Sequence, residues 1–228
     1  LININDECPV VRSSFWVMEN QLTGGPIDVY DPDGTALTTL VYSISGTDAS
    51  LMTVDSSTGI LTFNNAPDRE TRQSYRINAT VDEGYCEDSE DVTIYIRNEN
   101  DNAPKIITPN LFTVDENQTA IGSVQATDAD GTGNLIFSVS GTDASAVSVS
   151  GSGGFGTLTF NSSPNFETKS AYSFNLNVTD GVASDSQMVT VNLNDLNEAP
   201  VISNSSTTSL IENIAEILSI NAVDPEGA

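Results

Sequence analysis

The 228-residue sequence predicts an all-β fold, a tandem of antiparallel β-sandwiches of immunoglobulin-like size. Three observations carry that expectation. The chain repeats itself with a period near 95 residues, apolar and polar residues alternate inside each repeat, and no stripe of helical spacing occurs.

The repeats are explicit. SGTDAS runs from Ser45 to Ser50 and again from Ser140 to Ser145. GILTFNNAPDRET (Gly59 to Thr71) returns as GTLTFNSSPNFET (Gly156 to Thr168). Glu19, Glu116 and Glu212, which are 97 and 96 residues apart, each precede an Asn, and Pro9, Pro104 and Pro200 are 95 and 96 apart. A period this long is a whole domain, because solenoid repeats are shorter and cannot bury a face alone. The phase gives two complete repeats, 8–102 and 103–198. Residues 1–7 read as the end of a preceding repeat, since LININDECP aligns with IRNENDNAP, and 199–228 as the start of a following one. The sequence is therefore expected to be a segment of a longer array.

Within a repeat the period is two. Leu40, Tyr42 and Ile44 alternate with polar residues, as do Leu135, Phe137 and Val139. Tyr75, Ile77, Ala79 and Val81 match Tyr172, Phe174, Leu176 and Val178, and Val92, Ile94 and Ile96 match Val189, Val191 and Leu193. Each run is a strand with one buried face. Turn signals such as Pro32-Asp33-Gly34 and Asp180-Gly181 separate them. Six or seven short strands in about 95 residues suit a sandwich.

Composition limits the chemistry. The net charge is −25, which argues against binding a nucleic-acid backbone or an anionic membrane. There is no His, so Ser-His-Asp, Cys-His and His-ligated zinc chemistry are excluded. No apolar run approaches the ~18 residues of a membrane span.

The acids gather at predicted loops and strand ends: Glu19, Asp68 and Glu70, then Asn98 to Asn102, then Asp128-Ala129-Asp130 and Asp180. So many carboxylates at one junction would repel unless a cation neutralised them. Hard oxygen ligands, Asp-x-Asp spacing and an Asn-rich linker suit Ca²⁺, which takes ~6–8 oxygens, better than Mg²⁺ with its tight octahedron.

These residues resemble the cadherin repeat, whose calcium motifs are x-E-x, D-R-E, D-x-N-D-N-x-P, D-x-D and A-x-D-x-G. Here stand Glu19 in MEN, Asp68-Arg69-Glu70, NENDNAP from Asn98 to Pro104, Asp128-Ala129-Asp130, and Asp82 in TVDEG. The resemblance covers essentially the whole chain. It implies Greek-key sandwiches and, between the complete repeats, about three calcium ions of ~6–8 oxygens each. The first repeat would contribute Glu19, Asp68 and Glu70. The linker would add the Glu99 carbonyl, the Asn100 side chain, Asp101 and the Asn102 carbonyl. The second repeat would supply Asp128, Asp130, the Asn134 carbonyl and Asp180, whose Gly181 comes one residue earlier than the family spacing. Upstream, the same correspondence points to Asn3, Asn5, Asp6, Asp31, Asp33 and Asp82. Downstream it points to Glu116, Glu167, Asn197, Glu198, Asp224 and Glu226. The downstream set departs from the pattern. Asn165 replaces the Asp of D-R-E, the linker is one residue shorter, Glu198 stands for Asp101, and Glu226 ends the D-x-D.

Cys8 and Cys86 are the only cysteines. The cadherin topology would place both at one end of the same repeat, which makes a disulfide plausible; two buried free thiols are the alternative. Sequons at Asn78, Asn117, Asn161, Asn177 and Asn204 are no more than the Ser/Thr content gives by chance, so they permit glycosylation without signalling it. Alternation turns Phe15 and Val17 inward and Trp16 outward.

The expectation is a calcium-stiffened part of a large extracellular or cell-surface adhesion or stalk protein. Its partners would be other copies, other surface proteins or glycans, without nucleic acid, membrane insertion or catalysis. A carbohydrate-binding module would need a row of exposed aromatics, and an accessory domain of an extracellular enzyme would need its catalytic partner.

Overall fold

The computed structural model describes residues 7–32, 40–131, 133–202, 212 and 221–225. The chain divides into two compact units, Leu1–Asn100 and Asp101–Ala228. The first unit contains β1 (Val10–Val11), β2 (Ser14–Met18), β3 (Thr23–Pro26), β4 (Val29–Tyr30), β5 (Val41–Ser45), β6 (Met52–Val54), β7 (Ile60–Phe63), β8 (Ser74–Asp82) and β9 (Glu87–Arg97). They form sheets of order β2-β9-β8-β5 and β3-β7-β6, with β1 paired to β4.

The second unit contains β10 (Lys105–Ile106), β11 (Leu111–Asp115), β12 (Ala120–Thr127), β13 (Ile136–Ser140), β14 (Val147–Ser152), β15 (Phe155–Phe160), β16 (Ala171–Thr179), β17 (Ser184–Asn194), β18 (Val201–Ile202) and β19 (Ala222–Val223). Its halves, β11-β17-β16-β13 and β14-β15-β12-β10, are joined by one bridge, Ile136 to Ser152. β18 and β19 pair separately.

The period-two runs become the core. Ile77, Ala79 and Val81 of β8 lie beside Val92, Ile94 and Ile96 of β9, facing Leu61 and Phe63 of β7, and all are buried. In the second unit Phe174, Leu176 and Val178 meet Val189, Val191 and Leu193 over Leu158 and Phe160.

One expectation is corrected. The sandwiches are not wholly antiparallel: β2 runs parallel to β9, and β11 parallel to β17. Parallel neighbours cannot be joined by a hairpin, so the partners are the first five-residue strand and the last long strand of each unit, far apart in sequence.

The SGTDAS motif proves to be a strand cap. Gly46 and Gly141 turn the chain with φ of 97° and 99°, a region that favours glycine, and short 3₁₀ turns follow at Ala49–Leu51 and Ala144–Ala146. The Asp between them points inward. Asp48 accepts from the Arg76 N–H at 2.7 Å and from the Arg72 guanidinium. Asp143 accepts from the Ser173 N–H at 2.8 Å and from Lys169 Nζ. The cations lie over Tyr75 and Tyr172, 4.3 and 4.8 Å from the ring centroids. The Arg72 hydrogen bond, then the Arg76 N–H, holds the Asp48 carboxyl below its ordinary range. Lys169 and then Ser173 do the same for Asp143.

Cys8 and Cys86 form a disulfide with Cα atoms 5.8 Å apart and a sequence separation of 78. It ties the entry of the first unit to its last hairpin. The second unit has Ala103 and Ala183 in those places.

Two outcomes follow. Closing a loop this long limits the unfolded chain, so reduction should cost on the order of 4 kcal/mol in urea unfolding; an unchanged midpoint would contradict this. Folded Asp48 and Asp143 titrate below the unfolded value of about 3.9, so the unfolded chain takes up protons first as pH falls. Their stabilisation is present above about pH 4 and is lost below it, toward the folded values. The variant D48N/D143N should show a shallower loss of stability with acid than the parent, measured by urea midpoints from pH 6 to 2.5.

Candidate metal centre

Two buried glutamates organise the acidic loops. Glu19, after the end of β2, is 0% exposed, and Glu116, after the end of β11, is 1% exposed. Each is followed by an Asn at φ 62°, a left-handed conformation that Asn tolerates better than most residues. That turn brings the Asn20 N–H to the Pro67 carbonyl and the Asn117 N–H to the Pro164 carbonyl, both at 2.9 Å. The glutamate side chain makes the second tie. Glu19 accepts from the Arg69 N–H at 2.7 Å and the Glu99 N–H at 2.6 Å. Glu116 accepts from the Phe166 N–H at 2.8 Å and the Leu196 N–H at 2.9 Å. Each carboxylate thus joins the P-[DN]-x-E loop to the segment after the last strand.

In the first unit this places carboxylate oxygens of Glu19 and Glu70 within 4.8 Å of each other. Asp68 accepts from the Thr71 N–H and hydroxyl, both at 2.9 Å. Those bonds, the backbone one foremost, lower its carboxyl below the ordinary range. Glu99 was expected to act through its carbonyl, which accepts from the Asn98 amide at 3.0 Å. Its N–H is the group that holds Glu19. Asn100 is exposed.

Toward the start of the second unit, Asp130 gathers the linker. Its Oδ2 accepts from the N–H groups of Asp101 at 3.0 Å and Asn102 at 2.7 Å. The Asn102 amide reaches Asp101 at 2.8 Å and Asp130 at 3.1 Å. The Asp130 N–H donates to Asp128 Oδ1 at 2.9 Å, while Asp128 Oδ2 is buried and accepts no hydrogen bond. Asn134 is exposed in the turn before Leu135. Asp180 accepts from the N–H groups of Val182 and Ala183, both at 2.7 Å. Its N–H donates to the Ala183 carbonyl, just as the Glu83 N–H donates to that of Cys86. Asp180 is therefore the counterpart of Glu83, one position after the counterpart of Asp82.

The second unit also holds a cluster of three glutamates. Oxygens of Glu116, Glu167 and Glu198 lie within 4.8 Å of one another. The Asn117 amide donates to Glu198, and the Asn165 amide donates to Glu167 at 2.9 Å. Asn197 caps the Glu198 carbonyl at 3.0 Å. Because Leu196 fills the place of Glu99, Glu198 fills that of Asp101. Two oxygens on one Ca²⁺ can lie up to ~5 Å apart, given bonds of ~2.3–2.6 Å, so this all-oxygen donor set fits that ion. Three ionised carboxylates so close repel by about 3–4 kcal/mol per pair at an effective dielectric near 20. Only Lys105 and Lys169 are cationic beyond residue 100, and Lys169 is engaged by Asp143.

At the other end of the first unit Asp31 is buried, and exposed Asp82 accepts from the Gly84 N–H at 2.7 Å. Asp224 is half-buried. Asn3, Asn5, Asp6, Asp33 and Glu226 lie outside the described residues. The sequence pattern marks the Asn after each of these glutamates but not its left-handed turn, nor the backbone donors that hold the carboxylates. The Glu-Asn pair, repeated in all three copies, was the available signal.

Residues 100–192 match the family described as Bacterial Ig domain. Protocadherin-1 of Homo sapiens is 31% identical over 230 residues, covering 92% of this chain and 21% of that protein. Protocadherin Fat 4 of Mus musculus is 31% identical over 144 residues, covering 57% of this chain and 3% of that protein. The chain thus spans about a fifth or less of these relatives. The solved protocadherin gammaB7 EC3-6 cis-dimer structure superposes with a TM-score of 0.63 at 23% identity, covering 96% of this chain and 56% of that one.

Replacing Glu116 with Ala strands two buried N–H donors, each costing about 1–3 kcal/mol. E116A should lower stability by about 2–5 kcal/mol in chelator, measured by urea unfolding. A loss below 0.5 kcal/mol would show that Glu116 does not hold these loops.

Proposed function

We propose that the chain is a tandem of cadherin-like repeats of an extracellular or cell-surface protein, that it binds calcium at its repeat junctions, and that it so acts as a rigid, adhesive or stalk-forming segment. The repeats are assigned to 8–102 and 103–198, with 1–7 and 199–228 from their neighbours. The observation that carries this reading is the convergence of Glu116, Glu167 and Glu198, whose mutual repulsion a divalent cation would turn into attraction. The buried, unbonded Asp128 Oδ2 supports the same chemistry at the other end of that unit.

In this reading Glu19, Asp68, Glu70, Asn100 and Asp101, with the Glu99 and Asn102 carbonyls, join Asp128, Asp130, Asn134 and Asp180 around shared ions. The ions replace repulsion between consecutive repeats by common ligation. The upstream junction draws on Asn3, Asn5, Asp6, Asp31, Asp33 and Asp82, and the downstream one adds Asn197, Asp224 and Glu226 to the three glutamates. Bound calcium supplies charge neutralisation. The chain's own part is to hold oxygens in place through backbone hydrogen bonds. Other copies and other surface proteins are the proposed partners.

Calcium that binds only the native state stabilises it by RT ln(1 + [L]/Kd), about 2.7 kcal/mol at a hundredfold excess over Kd. The melting temperature should rise with calcium and fall with chelator, and identical melts would refute calcium binding. The downstream junction should bind more weakly than the central one, since Asn165 removes a charge and Glu198 changes a ligand length. Calorimetric titration of two proteins, each with two whole repeats around one junction, measures this directly. A downstream junction of equal or higher affinity would show that those substitutions are compensated.

A further inference from the structure

The outward face of β2, β9 and β8 holds the chain's only tryptophan. Trp16 is 56% exposed and stacks on Tyr95, with ring centroids 4.9 Å apart and planes 29° apart. The Arg97 guanidinium lies 5.8 Å from the indole centroid. Two residues along β9 the same face becomes a cleft of about 250 Å³, lined in part by Thr47, Arg76, Asn78, Asp91 and Thr93. Arg76 pairs with Thr93 and Asn78 with Asp91 across β8 and β9, so one surface carries an aromatic platform and then a guanidinium, an amide, a carboxylate and hydroxyls.

The second unit is an internal control. The pair Trp16–Tyr95 of β2 and β9 corresponds to Thr113–Asn192 of β11 and β17. Arg76–Thr93 becomes Ser173–Thr190, and Asn78–Asp91 becomes Asn175–Met188. The same sandwich forms without the aromatic pair, the guanidinium or the carboxylate, so the fold does not require them. None of them is among the proposed calcium ligands.

We propose that this face of the first unit binds an uncharged oligosaccharide. A sugar ring has an apolar C–H face and a polar rim. The exposed part of the indole suits the first, and Arg76, Thr93 and the Asn78–Asp91 pair, whose amide donates to the carboxylate at 3.1 Å, offer donors and acceptors to the second. Stacking on Tyr95 already orders the indole, which lowers the entropy lost on binding. Hydroxyl residues Ser14, Ser74 and Thr93 neighbour the rings, so the surface lacks the broad apolar centre of a protein interface. The net charge of −25 disfavours a polyanionic glycan.

The test titrates the two-unit protein with neutral hexasaccharides of glucose, xylose, mannose, galactose and N-acetylglucosamine, with a sulfated oligosaccharide alongside. Trp16 fluorescence reports directly because no other tryptophan is present. At least one neutral sugar should give a saturable change. By calorimetry, Trp16→Thr should weaken that binding roughly thirtyfold, as loss of a central aromatic anchor does. Arg76→Ser, which keeps the fluorescent reporter, should weaken it about tenfold, the loss of a polar contact to the sugar rim. Both changes install residues that the second unit carries, and melting temperatures equal to the parent's, with and without calcium, establish that the variants are folded. No saturable change with any neutral sugar, undiminished binding by folded Trp16→Thr, or a response to the sulfated probe alone would overturn the proposal.

Discussion

The buried carboxylates of Glu19 and Glu116 are the constraint on which the acidic ends of both units depend. A carboxylate withdrawn from water is costly unless its oxygens are bonded. Each glutamate meets that demand with two backbone N–H groups from separate loops. The loops are held because the carboxylate needs them. The glutamate can be buried because β2 and β11 end where the following Asn turns left-handed. Everything proposed about cations rests on this frame, since Glu70 and Glu167 sit on the loops that it fixes.

The units share that frame and differ in what they attach to it. Asp48 and Asp143 cap the same strand, one with an arginine and the other with a lysine. Asp88 and Asp185 each receive the N–H of the opening strand, from Val11 at 2.8 Å and Ile106 at 2.9 Å. These interactions are properties of the sandwich. The disulfide, the Trp16–Tyr95 stack and the carboxylate at position 68 belong to the first unit alone, where the second has alanines, Thr113 with Asn192, and Asn165. A feature kept in both copies stabilises the repeat. A feature confined to one copy is where the copies can differ in function.

Much of this was legible in the sequence. Period-two alternation marks Ile77, Ala79 and Val81 as a buried strand face because side chains alternate across a pleat. The matching repeats announce two like units, and the order of the acidic motifs points to the loops. Other features depend on contacts that no local pattern encodes. The parallel pairing of β2 with β9 joins residues about 80 apart. Asp48 belongs to a motif that marks the repeat, but its partner Arg76 lies on another strand. Glu99 was expected to act through its carbonyl, while its N–H does the observed work. Asp180 matched a motif at the wrong offset because hairpin register, set by the strands, decides which residue stands opposite Ala183.

The central claim is that a cation at Glu116, Glu167 and Glu198 secures loops that the glutamate already ties. Amide hydrogen exchange at Phe166 and Leu196, the two donors to Glu116, reports on those loops directly. At calcium a hundredfold above its Kd, exchange by opening of the site should slow roughly a hundredfold relative to chelator. Equal exchange rates at both amides, with calcium present at that excess, would contradict the account.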